Sequence, residues 1–186
     1  MDHITITVFG ATGDLFKKKL VGALFDLFVR GIIPSTFTIL GLSRKSLSHV
    51  EFRQLAALSI QNHEAFGEKG ELFLRRLFYY SFDATDSNSF DLLREIIDRN
   101  DAEFASCSNK LFYLATMPEL YGDIFTGLSR VGFAVPCITP FRRNNNWSRI
   151  LVEKPFGFDA KNAEYLEELL SESFDESQIF RIDHYL

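Results

Sequence analysis

Short runs of β-branched and aromatic residues alternate along this chain with segments of helical apolar spacing, and that alternation limits the fold more than any other feature. The first run, Ile4 to Phe9, is apolar or β-branched throughout and stops at Gly10, as a strand buried on both faces would. From Asp14 to Arg30, Leu15, Leu20, Ala23, Leu24, Leu27 and Phe28 recur at helical spacing, and Gly31 is placed to end the helix. Further strands are expected at Phe37 to Leu42, Leu77 to Phe82, Lys110 to Ala115, Ile150 to Glu153 and Ile179 to Ile182. Helices are expected from Ser48 to about Phe66, where Glu51 stands at the capping-box spacing, and from Asp86 or Ser87 through Ile97. Two more run from Tyr121 to near Gly132 and from Ala160 to Leu170, while Phe133 to Asn146 reads as an irregular exposed loop. Helices long enough for crossovers predict an α/β fold: a Rossmann-like, doubly wound, mostly parallel sheet with helices on both faces. The 186 residues suit one domain, and neither a repeat nor a linker divides them.

The strongest local signal joins the first strand to the first helix: V-F-G-A-T-G-D-L-F-K-K-K-L, Val8 to Leu20. Gly10 permits a tight turn at positive φ, and Gly13 lets the helix N-terminus approach closely. The backbone N–H groups of Ala11, Thr12, Gly13, Asp14 and Leu15 would face a pyrophosphate, aided by the helix dipole, and Thr12 adds a hydroxyl. The spacing is G-x-x-G rather than G-x-G-x-x-G, so a glycine turn without a ligand is the plain alternative. Lys17 to Lys19 read as a solvated face, with Lys17 within reach of the turn.

The second strand ends L-G-L-S-R-K-S, Leu40 to Ser46. In doubly wound dinucleotide folds an acid at this point bonds the ribose 2′-hydroxyl of NAD, and an arginine accommodates the 2′-phosphate of NADP. No acid stands here. Ser43, Arg44, Lys45 and Ser46 offer hydroxyls and cations, with Arg44 as a planar fork for phosphate oxygens, which predicts NADP over NAD. A basic loop of no further meaning is the alternative.

Composition bounds the partners. Apolar residues at 46% and charged residues at 24% are globular proportions, and a net charge of −5 argues against nucleic acid as a partner. No apolar run has membrane-spanning length, and the first residues lack a signal-peptide layout, so no membrane association and a cytoplasmic location are expected. Cys107 and Cys137 are far apart without metal-type spacing and are expected as two reduced thiols; no metal site is expected.

G-A-T-G-D-L-F-K-K-K-L resembles the glycine turn of glucose-6-phosphate dehydrogenases, as do S-R-K-S-L-S after the second strand and F-Y-L-A-T-M-P-E-L-Y, Phe112 to Tyr121, after the fourth. W-S-R-I-L-V-E-K-P-F-G, Trp147 to Gly157, resembles the family's signature before its catalytic helix, and F-R-I-D-H-Y-L, Phe180 to Leu186, the start of its active-site signature. The matches run in family order over the whole chain, which by this resemblance corresponds to the family's N-terminal coenzyme domain, residues 1–186 here; the C-terminal α+β domain for substrate binding and dimerisation is expected to be absent from the chain. The resemblance implies oxidation of glucose 6-phosphate to 6-phosphogluconolactone, with hydride passing to NADP. It places the pyrophosphate on Gly10 to Leu15, the 2′-phosphate on Arg44 beside Ser43, and the adenine edge near Asp83 and Ala84, with Tyr121 another cofactor contact. Lys154 of E-K-P would serve cofactor and sugar, with Pro155 after a cis bond. Asp183 would pair with the catalytic histidine, and His184 and Tyr185 would bind the sugar phosphate.

Phe16 and Lys18 depart from the family's usual Ala and Arg, and Met117-Pro118 keeps only the second of two usual prolines; Phe16 is expected to crowd the turn. The family's signature continues with a lysine, and its general-base histidine lies further on. His3 begins the first strand, His49 opens a helix and His63 is expected late in that helix, none at the site. The isolated chain is therefore expected to bind cofactor, to hold a partial sugar site, and to turn over little or no substrate. Apolar surface meant for the missing domain would promote self-association. A free-standing NADP-binding sensor, or a subunit for a separate partner, is the alternative. So is a sugar oxidoreductase of the broader group that shares E-K-P.

Overall fold

The computed structural model describes residues 3–137, 146–154 and 156–183. Strands β1 (Ile4–Phe9), β2 (Phe37–Ser43), β3 (Leu77–Ser81), β4 (Asn109–Leu114), β5 (Ser148–Glu153) and β6 (Ile179–Ile182) form one sheet in the order β3-β2-β1-β4-β5-β6. Every neighbouring pair is parallel. This is the doubly wound order, in which the direction of winding reverses between β1 and β4.

Alternation along the strands divides the core. Phe9, Leu40, Leu42, Phe112, Leu114, Ile150 and Val152 face one side, where α4 (Ser87–Glu103), α5 (Tyr121–Arg130) and α6 (Ala160–Ser173) pack. Ile6, Val8, Phe37, Ile39 and Tyr113 face the other, under α1 (Val21–Val29), α2 (His49–Ile60) and α3 (Gly67–Leu74). Much of this second layer is aromatic: Phe25, Phe28 and Phe37 gather around Phe73 with ring centroids 5.3 to 5.9 Å apart.

The expected caps form. Gly31 takes φ +69° and Gly10 φ +85°. Ser48 and Glu51 close a capping box, and Asp86 and Asp159 cap α4 and α6. The first helix departs from simple form, with a π-turn over Phe16–Leu20 before α1. The second expected helix stops at Ile60, a turn follows, and α3 is an additional helix; His63 accordingly lies in the turn, not on α2. Phe133 and Ala134, expected in an exposed loop, are buried, because Phe133 packs on Phe112 with centroids 5.6 Å apart. Residues 138–145 of that expected loop lie outside the described residues.

The cysteines correct the expectation of separate thiols. Cys107, just before β4, and Cys137 have Cα atoms 6.2 Å apart and are joined as a disulfide, at a spacing ordinary for such a bond. Nearby, the N-terminal edge of the sheet holds a buried polar network. Lys110 pairs with Asp101 at 3.0 Å, and Asn100 links His3, Thr5 and Thr38.

Candidate functional site

The helices after β1 and β4 leave to opposite faces of the sheet, so a cleft opens beyond the strand ends. The cleft, of about 370 Å³, is lined by Phe9, Gly10, Thr12 and Gly13 from the first turn and by Leu42, Ser43, Arg44 and Lys45 from the second. Phe82 and Ala84, just past β3, close one end, and Ala115, Thr116, Met117, Leu120 and Ile124 form the wall beyond β4. That volume is in the range of small-molecule sites.

Gly10 is required where it stands. A Cβ there would lie 2.2 Å from the Ala115 carbonyl oxygen, so the turn sits directly on the end of β4. Not all of the expected donors are free. The Gly10 and Ala11 N–H groups donate to the Leu42 carbonyl at 2.8 and 3.1 Å, and Gly13 N–H donates to Gly10 O at 2.9 Å. Ala11 is also buried. Among the described residues no partner outside the helix takes the N–H groups of Thr12, Asp14 and Leu15, at the turn and the helix start, which can meet an anion. The Asp14 carboxylate pairs with Lys18 at 2.7 Å and Lys17 at 3.3 Å, which hold it below the usual carboxylate range. Phe16 does not crowd the turn: it is buried and stacks on Phe52 at 5.3 Å, on the far side from the cleft.

The Thr12 and Ser43 hydroxyls lie 2.9 Å apart and join the glycine turn to the end of β2. No hydrogen bond or ion pair among the described residues occupies the exposed Arg44 guanidinium, which borders the cleft. Asp83 lies close enough to feel it. That carboxylate is held low chiefly by the Thr85 N–H and hydroxyl and also by Arg44.

The profile of the glucose-6-phosphate dehydrogenase NAD binding domain matches residues 7–186. The chain belongs to this family. A glucose-6-phosphate 1-dehydrogenase of Leuconostoc mesenteroides is 34% identical over 97% of this chain and 36% of its own length. A chloroplastic glucose-6-phosphate 1-dehydrogenase 3 of Arabidopsis thaliana is 38% identical, over the whole of this chain and 30% of its own. A solved glucose-6-phosphate dehydrogenase in complex with its substrate superimposes with a TM-score of 0.85 at 32% identity, over 99% of this chain and 37% of that one. The chain thus spans about a third of the length of the glucose-6-phosphate dehydrogenases it matches.

Within this glucose-6-phosphate dehydrogenase domain, β5 and β6 bring Lys154 and Asp183 together: the ammonium lies 3.0 Å from the carboxylate, and both are part-exposed. Lys154 N–H donates to the Ile182 carbonyl at 3.0 Å, which fixes the strand ends in register. Beside them the Tyr113 hydroxyl donates to Glu153 at 2.5 Å. Burial and that carboxylate push the Tyr113 phenol well above the usual tyrosine range, so it stays a donor. Tyr121 is not brought to the cleft. It is buried, its hydroxyl reaches the Leu114 carbonyl at 3.5 Å, and burial pushes it up to about 12. Arg181 faces away, paired with Glu167 and Glu176. Pro155, His184 and Tyr185 lie outside the described residues.

Of the histidines expected away from the site, His63 bonds Asp26 at 2.9 Å and His49 accepts from the Tyr79 N–H at 3.0 Å. The sequence reading missed Tyr79 and Tyr113. Both are strand residues whose partners lie 30 or more positions away, a distance that local patterning does not register.

Proposed function

We propose that this chain is the coenzyme-binding part of an NADP-dependent glucose-6-phosphate dehydrogenase. The whole reaction, oxidation of glucose 6-phosphate to 6-phosphogluconolactone, we assign to a longer protein with a second domain that completes the sugar site. The bound nicotinamide would supply the hydride acceptor. Thr12, Asp14 and Leu15 would offer backbone donors to the pyrophosphate, and Gly10 and Gly13 would let it approach. Arg44 and Ser43 would take the 2′-phosphate, and Ala84, with Asp83 at the rim, would border the adenine. Lys154 would orient the sugar hydroxyl, and Asp183, now on Lys154, would pass to the histidine of the second domain. His184 and Tyr185 would hold the sugar phosphate. Removal of the hydroxyl proton needs a base within hydrogen-bond reach, and neither His3, His49 nor His63 adjoins the cleft.

The observation that carries the cofactor reading is the Arg44 fork, unpaired among the described residues, beside Ser43 on a cleft edge where β2 brings no acid. Calorimetric titration should give tighter binding of NADP⁺ than of NAD⁺. Arg44→Ala should weaken NADP⁺ about tenfold or more, the worth of a charge-assisted phosphate contact, and leave NAD⁺ nearly unchanged. A preference that survives Arg44→Ala removes the reading. Mixed with glucose 6-phosphate and NADP⁺, the chain alone should produce little or no NADPH absorbance; robust turnover would show the sugar site to be complete.

A further inference from the structure

We propose that Tyr79 is a positioning residue for nucleotide selectivity: its buried hydroxyl clamps the Ser43–Lys45 turn and so sets where Arg44 presents its guanidinium. The inference rests on the 2′-phosphate reading of Arg44 and adds to it a residue that touches no ligand.

Tyr79 lies on β3, next to β2, and is 2% exposed. Its ring is seated on Phe52, with centroids 5.1 Å apart. Phe52 in turn packs so closely on Gly41 that a Cβ there would lie 2.3 Å from the ring. From this fixed seat the phenol oxygen lies 2.6 Å from the Lys45 carbonyl, 3.1 Å from the Ser43 carbonyl and 2.7 Å from the Ser43 hydroxyl. The residues on either side of Arg44 are thus held from beneath by one side chain, which donates to the Lys45 carbonyl and accepts from the Ser43 hydroxyl. The backbone of the same tyrosine donates to His49, so the start of α2 is tied to the same point.

A phenol has one proton to give. The short contact assigns it to the Lys45 carbonyl, leaving the phenol oxygen to accept from Ser43. Burial raises the pKa of Tyr79 against the opposing pull of Ser43, so the donor persists across the neutral range. Thr12 continues the chain from Ser43 to the glycine turn, so one line of hydroxyls links Lys45, Tyr79, Ser43 and Thr12. An arginine on an exposed turn loses backbone and side-chain freedom on gripping a phosphate. The clamp removes the backbone share of that loss in advance. Its effect should fall on ligands that use Arg44 and spare those that do not.

The test uses 2′,5′-ADP and 5′-AMP, which differ by the phosphate at issue, with calorimetry on the wild-type chain, Tyr79→Phe and Arg44→Ala. The phenylalanine keeps the ring seat and removes the hydroxyl. Tyr79→Phe is expected to weaken 2′,5′-ADP about fivefold, the worth of one lost hydrogen bond, and to leave 5′-AMP within about twofold. Trypsin should cleave Tyr79→Phe faster after Arg44 and Lys45 than it cleaves the wild type, with no general rise elsewhere. Equal weakening of both ligands would mean a general packing role and overturn the inference. Loss of 2′,5′-ADP selectivity in Arg44→Ala with none in Tyr79→Phe overturns the inference and leaves the phosphate reading standing. Unchanged selectivity in Arg44→Ala defeats the phosphate reading and the inference with it. Should Tyr79→Phe fail to fold, Phe52→Leu, which loosens the seat of the phenol ring and leaves Ser43 and Arg44 in place, must lower the 2′,5′-ADP preference; an unchanged preference counts against the clamp.

Discussion

His3 is almost fully buried, 3% exposed, stacked on Phe104 with centroids 3.9 Å apart, and its Nε2 faces the Asn100 amide nitrogen at 3.0 Å. The amide nitrogen also donates to Thr5, while its oxygen accepts from Thr38, so Nε2 is the acceptor and the ring is neutral. Desolvation lowers the affinity of the ring for a proton. The nearby Asp101 raises it, and Arg76 and Lys110 lower it again. The unfolded chain takes up a proton below about pH 6.5, where the folded ring resists it, so stability must fall as pH drops from there. Thermal melts between pH 7.5 and 5 should show this loss, and His3→Gln, which cannot titrate, should flatten it; an equal slope in both would assign the loss elsewhere. Residues whose role is set by their own backbone or by near neighbours were legible in the sequence: Gly10, Gly31 and Ser48. Those whose role depends on a distant partner were not. The phenols of Tyr79 and Tyr113, the burial of Tyr121 and the side chosen by Phe16 all come from contacts between elements.

Among the elements, strand positions could be read to within a residue or two, because parallel strands buried on both faces are nearly continuous apolar runs. Helix α3 could not. Gly67 and Gly70 weaken its helical signature, and it forms because Phe73 and Leu74 reach the aromatic layer. Contact between α4 and α5 shows how sterics decide the sign of a single change. A Cβ on Gly127 would lie 2.3 Å from the buried Phe90 ring, whereas a Cβ on Gly22 would meet nothing within 4 Å. Gly127→Ala should cost about 1–2 kcal/mol despite the better helix former, and Phe90→Leu should be less damaging in that background than in the wild type. Gly22→Ala should instead stabilise by up to about 1 kcal/mol. Urea melts of the single and double variants check both signs; strict additivity of Gly127→Ala and Phe90→Leu would refute the steric account.

The molecule as a whole follows the order that the alternation of elements implied. What it adds is the link at its lower edge. Cys107 and Cys137 are 30 positions apart and bracket β4 and α5, and their meeting depends on the sheet being assembled, which is why spacing alone concealed it. In the chain-entropy account a closure of this length is worth about 3.6 kcal/mol. Cys107→Ser should lower the oxidised protein's stability by about that amount and change little when the wild type is compared under reductant; free-thiol titration of the denatured chain establishes which state is melted. Equal melting temperatures in the oxidised wild type and the variant would show that the bond carries no load.

The cleft lies beyond the ends of β1 and β4, between the strands β3-β2-β1 and the strands β4-β5-β6, with one trio of helices on each face of the sheet. A molecule lodged in that gap bridges Gly13 and Arg44 on one half with Thr116 and Met117 on the other. Occupancy therefore works as a keystone: it adds a tie across the seam at the open end, opposite the Cys107–Cys137 bond.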